Sequence, residues 1–181
     1  MAEHIIVLEK ATKIFKAEVV FENISVAFEK GKVYGIIGRN GSGKSVFFKC
    51  ICGLMPLTAG LVRVNGKIVG KEIEIPADIG IVIERPGFMQ HYSGFKNLKM
   101  LAKIRGKTTD STICATMRKV GLDPDNKKWV EKYSIGMLQR LGIAQAILES
   151  PELLILDEPM NGLDENGVAA VSYTHLRAHE T

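Results

Sequence analysis

The sequence has little of what marks secreted, membrane-spanning or disordered chains. It contains three cysteines among 181 residues, an odd and sparse set that suits a reducing compartment. Its first residues, Met1 to His4, do not open a basic segment followed by a long apolar stretch, so no secretion signal is expected. Every apolar run falls well short of a membrane span, and 46% hydrophobic with 24% charged residues is a globular composition. We therefore expect one ordinary domain that stays in the cytoplasm.

Clusters of basic residues and of metal ligands are also scarce. The net charge of +4 is mild, and no dense group of lysines and arginines resembles a nucleic-acid site, so nucleic acid is not expected as a partner. Cys50 and Cys52 lie in an apolar stretch. They could be half of a metal site, but cysteine is so often buried that packing in the core is favoured.

One stretch, residues 38–45, carries most of the chemical information. It spells G-x-x-x-x-G-K-S, the pattern of a phosphate-binding loop. The apolar run Lys32–Ile37 before it predicts a buried strand, and Ser45–Ile51 after it predicts the helix that the loop opens. The alternative is a glycine-rich turn beside a surface lysine, and it is disfavoured because the flanking strand and helix match the pattern.

The residue types of this loop suit a polyphosphate. Glycines let successive backbone N–H groups point at one spot, where the helix N-terminus adds its partial positive charge. Lys44 can reach the β and γ phosphates, and the Ser45 hydroxyl is placed to ligate a Mg²⁺ ion that bridges them. The loop residues expected to bind the nucleotide are Gly38, Asn40, Gly41, Ser42, Gly43, Lys44 and Ser45.

The residues around the loop predict a mixed α/β domain. Short β-rich segments before the loop predict an antiparallel flank: His4–Lys10, Val19–Phe21 and Ile24–Phe28. Phe15 is either a platform on which an adenine ring stacks or an ordinary packing residue. Leu61–Val69 predicts a hairpin that turns at Asn65-Gly66. Residues 95–149 have helical periodicity and predict a helical insert, which we place at about residues 88–150.

Two further strands are predicted to end in carboxylates. Asp78–Ile83 predicts a buried strand followed by Glu84, at the edge where open α/β sheets bind ligands. Pro151–Leu156 predicts another, followed by Asp157 and Glu158. Asp157 would hold Mg²⁺, while Glu158 would orient and deprotonate the water that attacks the γ phosphate. Alone, such a run is more often a buried strand with a charged end; the upstream loop favours the catalytic interpretation.

The chain resembles the nucleotide-binding subunit of ABC transporters from about residue 4 to about residue 170. Four features carry the resemblance: Tyr133–Arg140 at the signature position, Asn161–Asp164 at the D-loop, Ile79–Glu84 leading into the Q-loop, and Phe15 at the aromatic A-loop position. The resemblance implies that Ser134 and Gly136 contact the γ phosphate of ATP held by a second subunit. Without it, Ser134 is an N-cap of the helix that begins near Gly136.

Two departures from the family pattern narrow the resemblance. Ile135 and Met137 replace the usual glycine and glutamine of the signature, and Glu84 replaces the Q-loop glutamine. In these features the chain is similar to the branch that exports, or confers resistance to, bacitracin and lantibiotic peptides. A carboxylate at position 84 adds a full negative charge near Mg²⁺, so we expect Ser45, Asp157 and Glu84 at the metal.

The end of the chain departs further. After Asp164, only Glu165–Val171 fits the next helix of the family, and residues 172–181 look like translated read-through of a sequencing adapter. We therefore expect an incomplete ATPase domain over residues 1–171 and a non-native tail over 172–181. His175 and His179 are poor candidates for the family's switch histidine.

Together these features predict an α/β P-loop NTPase with a RecA-like core, an antiparallel β subdomain, a helical insert and an incomplete C-terminus. The resemblance implies an ATP-hydrolysing subunit of a peptide exporter, with Lys44 and Glu158 as catalytic residues and ATP and Mg²⁺ as cofactors. It also implies a second ATPase subunit and a transmembrane permease as partners, on the inner face of the cell membrane. A soluble ABC-type ATPase, and a fragment that binds ATP without turnover, remain alternatives.

Overall fold

The computed structural model describes residues 3–84, 87–106 and 108–159. These residues form two compact units, the first ending at Ile79 and the second starting at Gly80. The D-loop residues Asn161–Asp164, the helix predicted over Glu165–Val171 and the tail at 172–181 lie outside the described residues.

The first unit is built on a four-stranded antiparallel sheet, with strand order β2-β1-β3-β4. The strands are β1 (His4–Phe15), β2 (Glu18–Glu29), β3 (Ala59–Val64) and β4 (Lys67–Ile68). The predicted antiparallel flank is therefore confirmed, but its short segments are parts of two twelve-residue strands. Lys10 and Asn23 adopt positive φ angles of 48° and 52° where the β1–β2 register shifts. Such bulges interrupt the alternation from which strand limits were predicted.

The turn between β3 and β4 is the one that the sequence predicts. Asn65 and Gly66 both have positive φ angles, 49° and 76°. A two-residue hairpin turn with this geometry matches the right-handed twist of its strands, and Asn-Gly forms it most readily.

Helix α1 (Lys44–Ile51) follows the glycine-rich loop, as predicted. Its inner face buries Phe47, Cys50 and Ile51, and the Phe47 ring packs edge-on against Phe21 of β2, with 5.6 Å between ring centroids. This aromatic contact fixes the start of α1 against the sheet of the same unit.

The strand predicted over Lys32–Ile37 is wrong for the described structure. This segment belongs to neither of the two sheets formed by the described residues, and Ile37 is 98% exposed. The segment has the apolar composition of a strand buried on both faces. Composition predicts burial, but a strand also needs neighbours that accept and donate its backbone hydrogen bonds.

The second unit contains the predicted helices and a two-stranded sheet. Its elements are β5 (Ile79–Val82), α2 (Gly94–Arg105), α3 (Asp110–Lys119), a 3₁₀ turn (Val130–Lys132), α4 (Ile135–Ile147) and β6 (Leu153–Leu156). Strands β5 and β6 pair with each other. The helices pack around fully buried side chains: Leu98, Ile113, Met117, Leu141 and Ile143. Helices are present where their periodicity predicts them; the limits of a helical subdomain stay a prediction.

Side-chain caps fix where these helices begin. Ser93, Thr109 and Ser134 each precede a helix, and each accepts a hydrogen bond from the backbone N–H three residues on. These bonds satisfy donors that a helix start otherwise leaves unpaired. Within the described ranges, none of the helices combines the length and hydropathy that crossing a membrane requires.

Candidate nucleotide-binding site

The glycine-rich loop curls tightly into the start of α1. Gly41 and Gly43 have left-handed φ angles of 79° and 88°, and Gly43 is the N-cap residue of the helix. The Ser42 N–H donates to the Arg39 carbonyl at 3.1 Å, which closes the turn. The loop therefore leads directly into the start of α1, and a glycine-rich turn before a helix N-terminus is the arrangement that binds phosphate.

Two glycines of the loop, Gly38 and Gly43, lie close to other side chains, and Gly43 also has a left-handed φ angle. A Cβ atom on Gly38 would lie 2.5 Å from the Ser42 hydroxyl oxygen, and one on Gly43 would lie 2.3 Å from Cγ1 of Val20. The second contact is with β2, so the loop runs close to the sheet at Gly43. A larger residue at Gly43 would be strained by both the contact and the φ angle, whereas at Gly38 the Ser42 hydroxyl would have to rotate away.

The charged and polar side chains of the loop differ in their contacts and exposure. The Lys44 ammonium donates to the Gly38 and Arg39 carbonyls at 2.9 and 3.1 Å, so it lies over the loop rather than away from it. Ser45 is half-buried in the first turn of α1, and Asn40 and Ser42 are exposed. A flexible ammonium over an anion-binding helix start is suited to contact terminal phosphates.

Phe15 ends β1 and pairs with Glu18 across the tip of the β1–β2 hairpin. Its ring is 41% exposed, which contradicts a place in the core and keeps the stacking hypothesis open. The Lys13 ammonium lies 4.7 Å from the ring centroid, a cation–π distance. The sequence alone gave no signal for this contact beyond the proximity of the two residues along one strand.

The three predicted carboxylates are brought to one end of the β5–β6 pair. The Asp157 N–H donates to the Val82 carbonyl at 2.7 Å, so the carboxyl end of β5 lies beside the residue that follows β6. Glu84 follows β5, and Glu158 follows Asp157. Asp157 is half-buried while Glu158 is exposed, which agrees with a fixed metal ligand beside a carboxylate that contacts water.

The backbone at both outer carboxylates is unusual. Glu84 and Glu158 have left-handed φ angles of 63° and 47°. Residues other than glycine rarely adopt this conformation, and it concentrates at functional sites. Both glutamates are exposed just after their strands end.

The donor set suits a hard cation. The predicted ligands, Ser45, Asp157 and Glu84, are all oxygen donors, as Mg²⁺ prefers. The part of the chain that the structure describes has no group of three or more histidine, cysteine or acidic side chains able to hold a metal by themselves. Mg²⁺ is commonly held by one or two carboxylates together with substrate phosphates, and the chemistry of these donors fits such an ion. That Ser45 of the first unit meets the carboxylates of the second unit stays a prediction.

The cysteine pair packs in the core, as the sequence predicts. Cys50 and Cys52 are 2% and 0% exposed, which confirms that they pack in the core. Burial raises the pKa of Cys52 from its ordinary 9.0 to about 12, so the thiol stays protonated at neutral pH. Burial also raises the pKa of Cys50, and the positive charge of Lys13 opposes that rise in part.

The signature segment begins α4. The Ser134 hydroxyl accepts a hydrogen bond from the Met137 N–H at 3.2 Å, which confirms the predicted N-cap. Ser134 and Ile135 are exposed, and Gly136 is half-buried in the first turn. A thirteen-residue helix thus presents its positive end to its surroundings. Contact of Ser134 and Gly136 with a partner's nucleotide stays a prediction.

One hydrogen bond in the second unit is not indicated by any sequence motif. The Gln139 side-chain amide donates to the Pro159 carbonyl at 3.4 Å, and so connects α4 to the residue that follows Asp157 and Glu158. The loop and Phe15 belong to the first unit, whereas the carboxylates and Ser134 belong to the second. Convergence of both sets on one nucleotide stays a prediction.

Comparison with known proteins identifies relatives of the whole described region. A family model described as ABC transporter matches residues 21–161. The chain is 44% identical over 160 residues to YybJ, an uncharacterized ABC transporter ATP-binding protein of Bacillus subtilis, covering 88% of this chain and 73% of the relative. It is 41% identical over 180 residues to BcrA, a bacitracin transport ATP-binding protein of Enterococcus faecalis, covering 98% and 58%.

Two further comparisons agree. The lantibiotic transport ATP-binding protein SrtF of Streptococcus pyogenes is 38% identical over 161 residues, covering 89% of this chain and 69% of the relative. A solved structure described as an ATP binding subunit of an ABC transporter superposes with a TM-score of 0.83 at 25% identity, over 97% of this chain and 75% of that one. The chain thus spans between about half and three quarters of the length of these relatives.

Proposed function

Because the chain belongs to the ABC transporter family, we propose that it is an ATP-binding subunit whose ATP hydrolysis drives transport across a membrane. One observation carries the proposal. The loop at residues 38–45 is closed by glycines, delivers its backbone to the N-terminus of α1 and holds the Lys44 ammonium over the curl. These features support binding of a polyphosphate chain by this loop.

In this proposal the first unit binds the nucleotide. The backbone N–H groups of the loop and the first turn of α1 hold the phosphates, Lys44 neutralises charge on the β and γ groups, and the Phe15 ring stacks on the adenine. Ser45, Asp157 and Glu84 are the residues that would hold Mg²⁺. The ion, when bound, supplies charge neutralisation on the terminal phosphates.

The second unit supplies the hydrolytic residue. Glu158 is exposed at the end of β6, where its carboxylate can orient a water and accept its proton as that water attacks the γ phosphate. Asp157, one residue earlier and half-buried, is better placed to stay ionised beside a cation. The two neighbouring carboxylates thus divide into a proton acceptor and a metal ligand.

The partners in this proposal follow from exposed features and from the relatives. The exposed, serine-capped N-terminus of α4 suits the γ phosphate of a nucleotide bound by a second ATPase subunit. A transmembrane permease would contact the Glu84 loop and the helices of the second unit, on the inner face of the cell membrane. Relatives named for bacitracin and lantibiotic transport support an antimicrobial peptide as the exported substrate.

Direct measurement of MgATP binding by the 181-residue chain tests the proposal. We expect Lys44→Ala to weaken binding by roughly tenfold or more, because it removes a charge-assisted contact with the phosphates. Lys67→Ala, on exposed strand β4, removes the same charge elsewhere in the first unit and should leave binding unchanged. Equal affinities for the unsubstituted chain and Lys44→Ala would contradict the proposal.

A further inference from the structure

The least expected polar group of the first unit is Lys13. Its side chain lies in β1 and the residue is only 8% exposed, although lysine is almost never buried without a partner. Its ammonium donates to the Pro56 carbonyl at 2.7 Å and lies 4.7 Å from the centroid of the Phe15 ring. The nucleotide-binding role described above makes no use of this buried cation.

Pro56 belongs to the segment that leaves the phosphate-binding helix. After α1 ends at Ile51, the N–H groups of Leu54 and Met55 donate to the Lys49 carbonyl at 2.9 and 3.2 Å, which keeps this exit tight. Pro56 therefore follows the helix through a short, hydrogen-bonded turn. A group tied to its carbonyl is tied to the end of α1.

The same segment is joined to β1 on both sides of Lys13. The Thr58 N–H donates to the Thr12 carbonyl at 2.8 Å, and the Ile14 N–H donates to the Thr58 hydroxyl at 3.0 Å. The Thr58 hydroxyl in turn lies 3.3 Å from the Ile14 carbonyl, to which it donates. Lys13 thus makes the central one of several hydrogen bonds that join the end of β1 to the segment that follows α1.

We propose that Lys13 is a positioning residue that holds the Phe15 ring as a base-stacking platform at a fixed place relative to the phosphate-binding helix. This inference rests on the proposed function, because it takes Phe15 as the residue that stacks on adenine. The ammonium attracts the ring electrostatically and leaves its exposed part for the base. Lys13 does not itself contact phosphate, since its ammonium is directed to the Pro56 carbonyl inside the unit.

The test separates base binding from phosphate binding. Dissociation constants are measured for MgATP and for inorganic tripolyphosphate, which lacks the base. We expect Lys13→Met to weaken ATP binding roughly fivefold and to leave tripolyphosphate binding within about twofold, because only the stacking contribution depends on the ring. Lys16→Met removes an exposed charge from the same hairpin and should change neither constant.

Two more substitutions guard against a purely structural effect. Lys13→Arg keeps the cation and should restore most of the ATP affinity, whereas Lys13→Gln keeps a donor for the Pro56 carbonyl without the charge and should behave like Lys13→Met. If Lys13→Met does not fold, the Gln and Arg variants carry the comparison.

Each contrary outcome has its own meaning. If the Lys13 variants lost ATP and tripolyphosphate binding equally, Lys13 would only support the fold. If their ATP binding were unchanged, Lys13 would have no role at the site. Either result overturns the inference. If Phe15→Ala weakens ATP binding selectively while the Lys13 variants do not, the proposed function stands and the inference alone falls. Failure of the unsubstituted chain to bind ATP would instead overturn the proposed function.

Discussion

The two helix starts to which the family pattern assigns phosphate contacts are built in different ways. Helix α1 begins at Gly43, whose φ of 88° lets the chain enter the helix without any side-chain cap hydrogen bond. Helix α4 begins at Ser134, whose hydroxyl already accepts a hydrogen bond from the Met137 N–H. A helix start without a side-chain cap leaves its donors to an anion, whereas a serine cap stabilises the helix first and offers the anion a hydroxyl. In the proposed function, this difference suits α1 to primary nucleotide binding and α4 to a secondary contact.

Replacement of Gly43, the glycine cap of α1, should have the largest effect on stability and on ATP affinity. Gly43→Ala places a Cβ atom 2.3 Å from Val20 Cγ1 and forces alanine to a φ of 88°. We expect a loss of about 1–3 kcal/mol in the free energy of unfolding, and at least about a tenfold loss of ATP affinity, because the cradle must open. Urea denaturation and equilibrium binding measure the two effects.

Gly66→Ala is the matched control for that substitution. Gly66 has a φ of 76° in the β3–β4 turn, but a Cβ atom there would meet nothing within 4 Å. It carries the same conformational strain without the collision and away from the loop, so ATP affinity should be unchanged. If Gly43→Ala bound ATP as well as Gly66→Ala does, the glycine cap would not be a phosphate-binding device.

Loss of the serine cap should have a smaller effect. Ser134→Ala removes the acceptor for the Met137 N–H, and we expect it to lower the free energy of unfolding by about 1 kcal/mol. ATP affinity of the isolated chain should stay unchanged, because in this proposal Ser134 contacts the nucleotide of a second subunit. ATP turnover by the assembled transporter should fall.

Thr109→Ala provides the comparison for that prediction. Thr109 caps α3 in the same way and accepts from the Thr112 N–H at 3.2 Å. Its removal should have a similar cost in stability without the loss of turnover. Equal turnover in the two variants would reduce Ser134 to an ordinary N-cap.

The features predicted correctly from the sequence are those set by local chemistry. Asn65-Gly66 requires no distant contact to form its turn, and the hydroxyl of Ser134 caps its helix from within a few residues. The order of Asp157 and Glu158 after an apolar run likewise located β6.

What could not be predicted depends on pairing between distant residues. The Lys32–Ile37 segment has the composition of a strand, but its hydrogen-bonding neighbours decide whether it becomes one. The contact of Lys13 with Pro56 spans 43 positions and involves a backbone carbonyl, which no motif records. Sequence motifs therefore indicate the candidate site residues, whereas the contacts that position those residues are visible only in the folded structure.

The two ends of helix α1 also differ in their exposure to solvent, and the effect expected from this difference is the smallest. The loop end is open to solvent, whereas Cys50 and Cys52 close the other end inside the core. Cys114 in α3 is half-buried, so an alkylating reagent at pH 8 should label it first. Labelling of Cys52 should require unfolding.

The same burial gives the pH dependence of stability a definite sign. The pKa of Cys52 is about 12 in the fold, above its ordinary value of 9.0, so the folded state favours the protonated thiol. The resulting stabilisation is fully present below pH 9 and is lost as the pH rises from there toward 12, because the unfolded chain releases that proton first. Replacement by alanine removes the titrating group, so the free energy of unfolding of Cys52→Ala should depend less steeply on pH above 9 than that of the unsubstituted chain.

Cys114→Ala serves as the control. Suppose that, above pH 9, the free energy of unfolding of both variants depended on pH as steeply as that of the unsubstituted chain. Cys52 would then be accessible to water, and the C-terminal end of α1 would be as open as the phosphate-binding end.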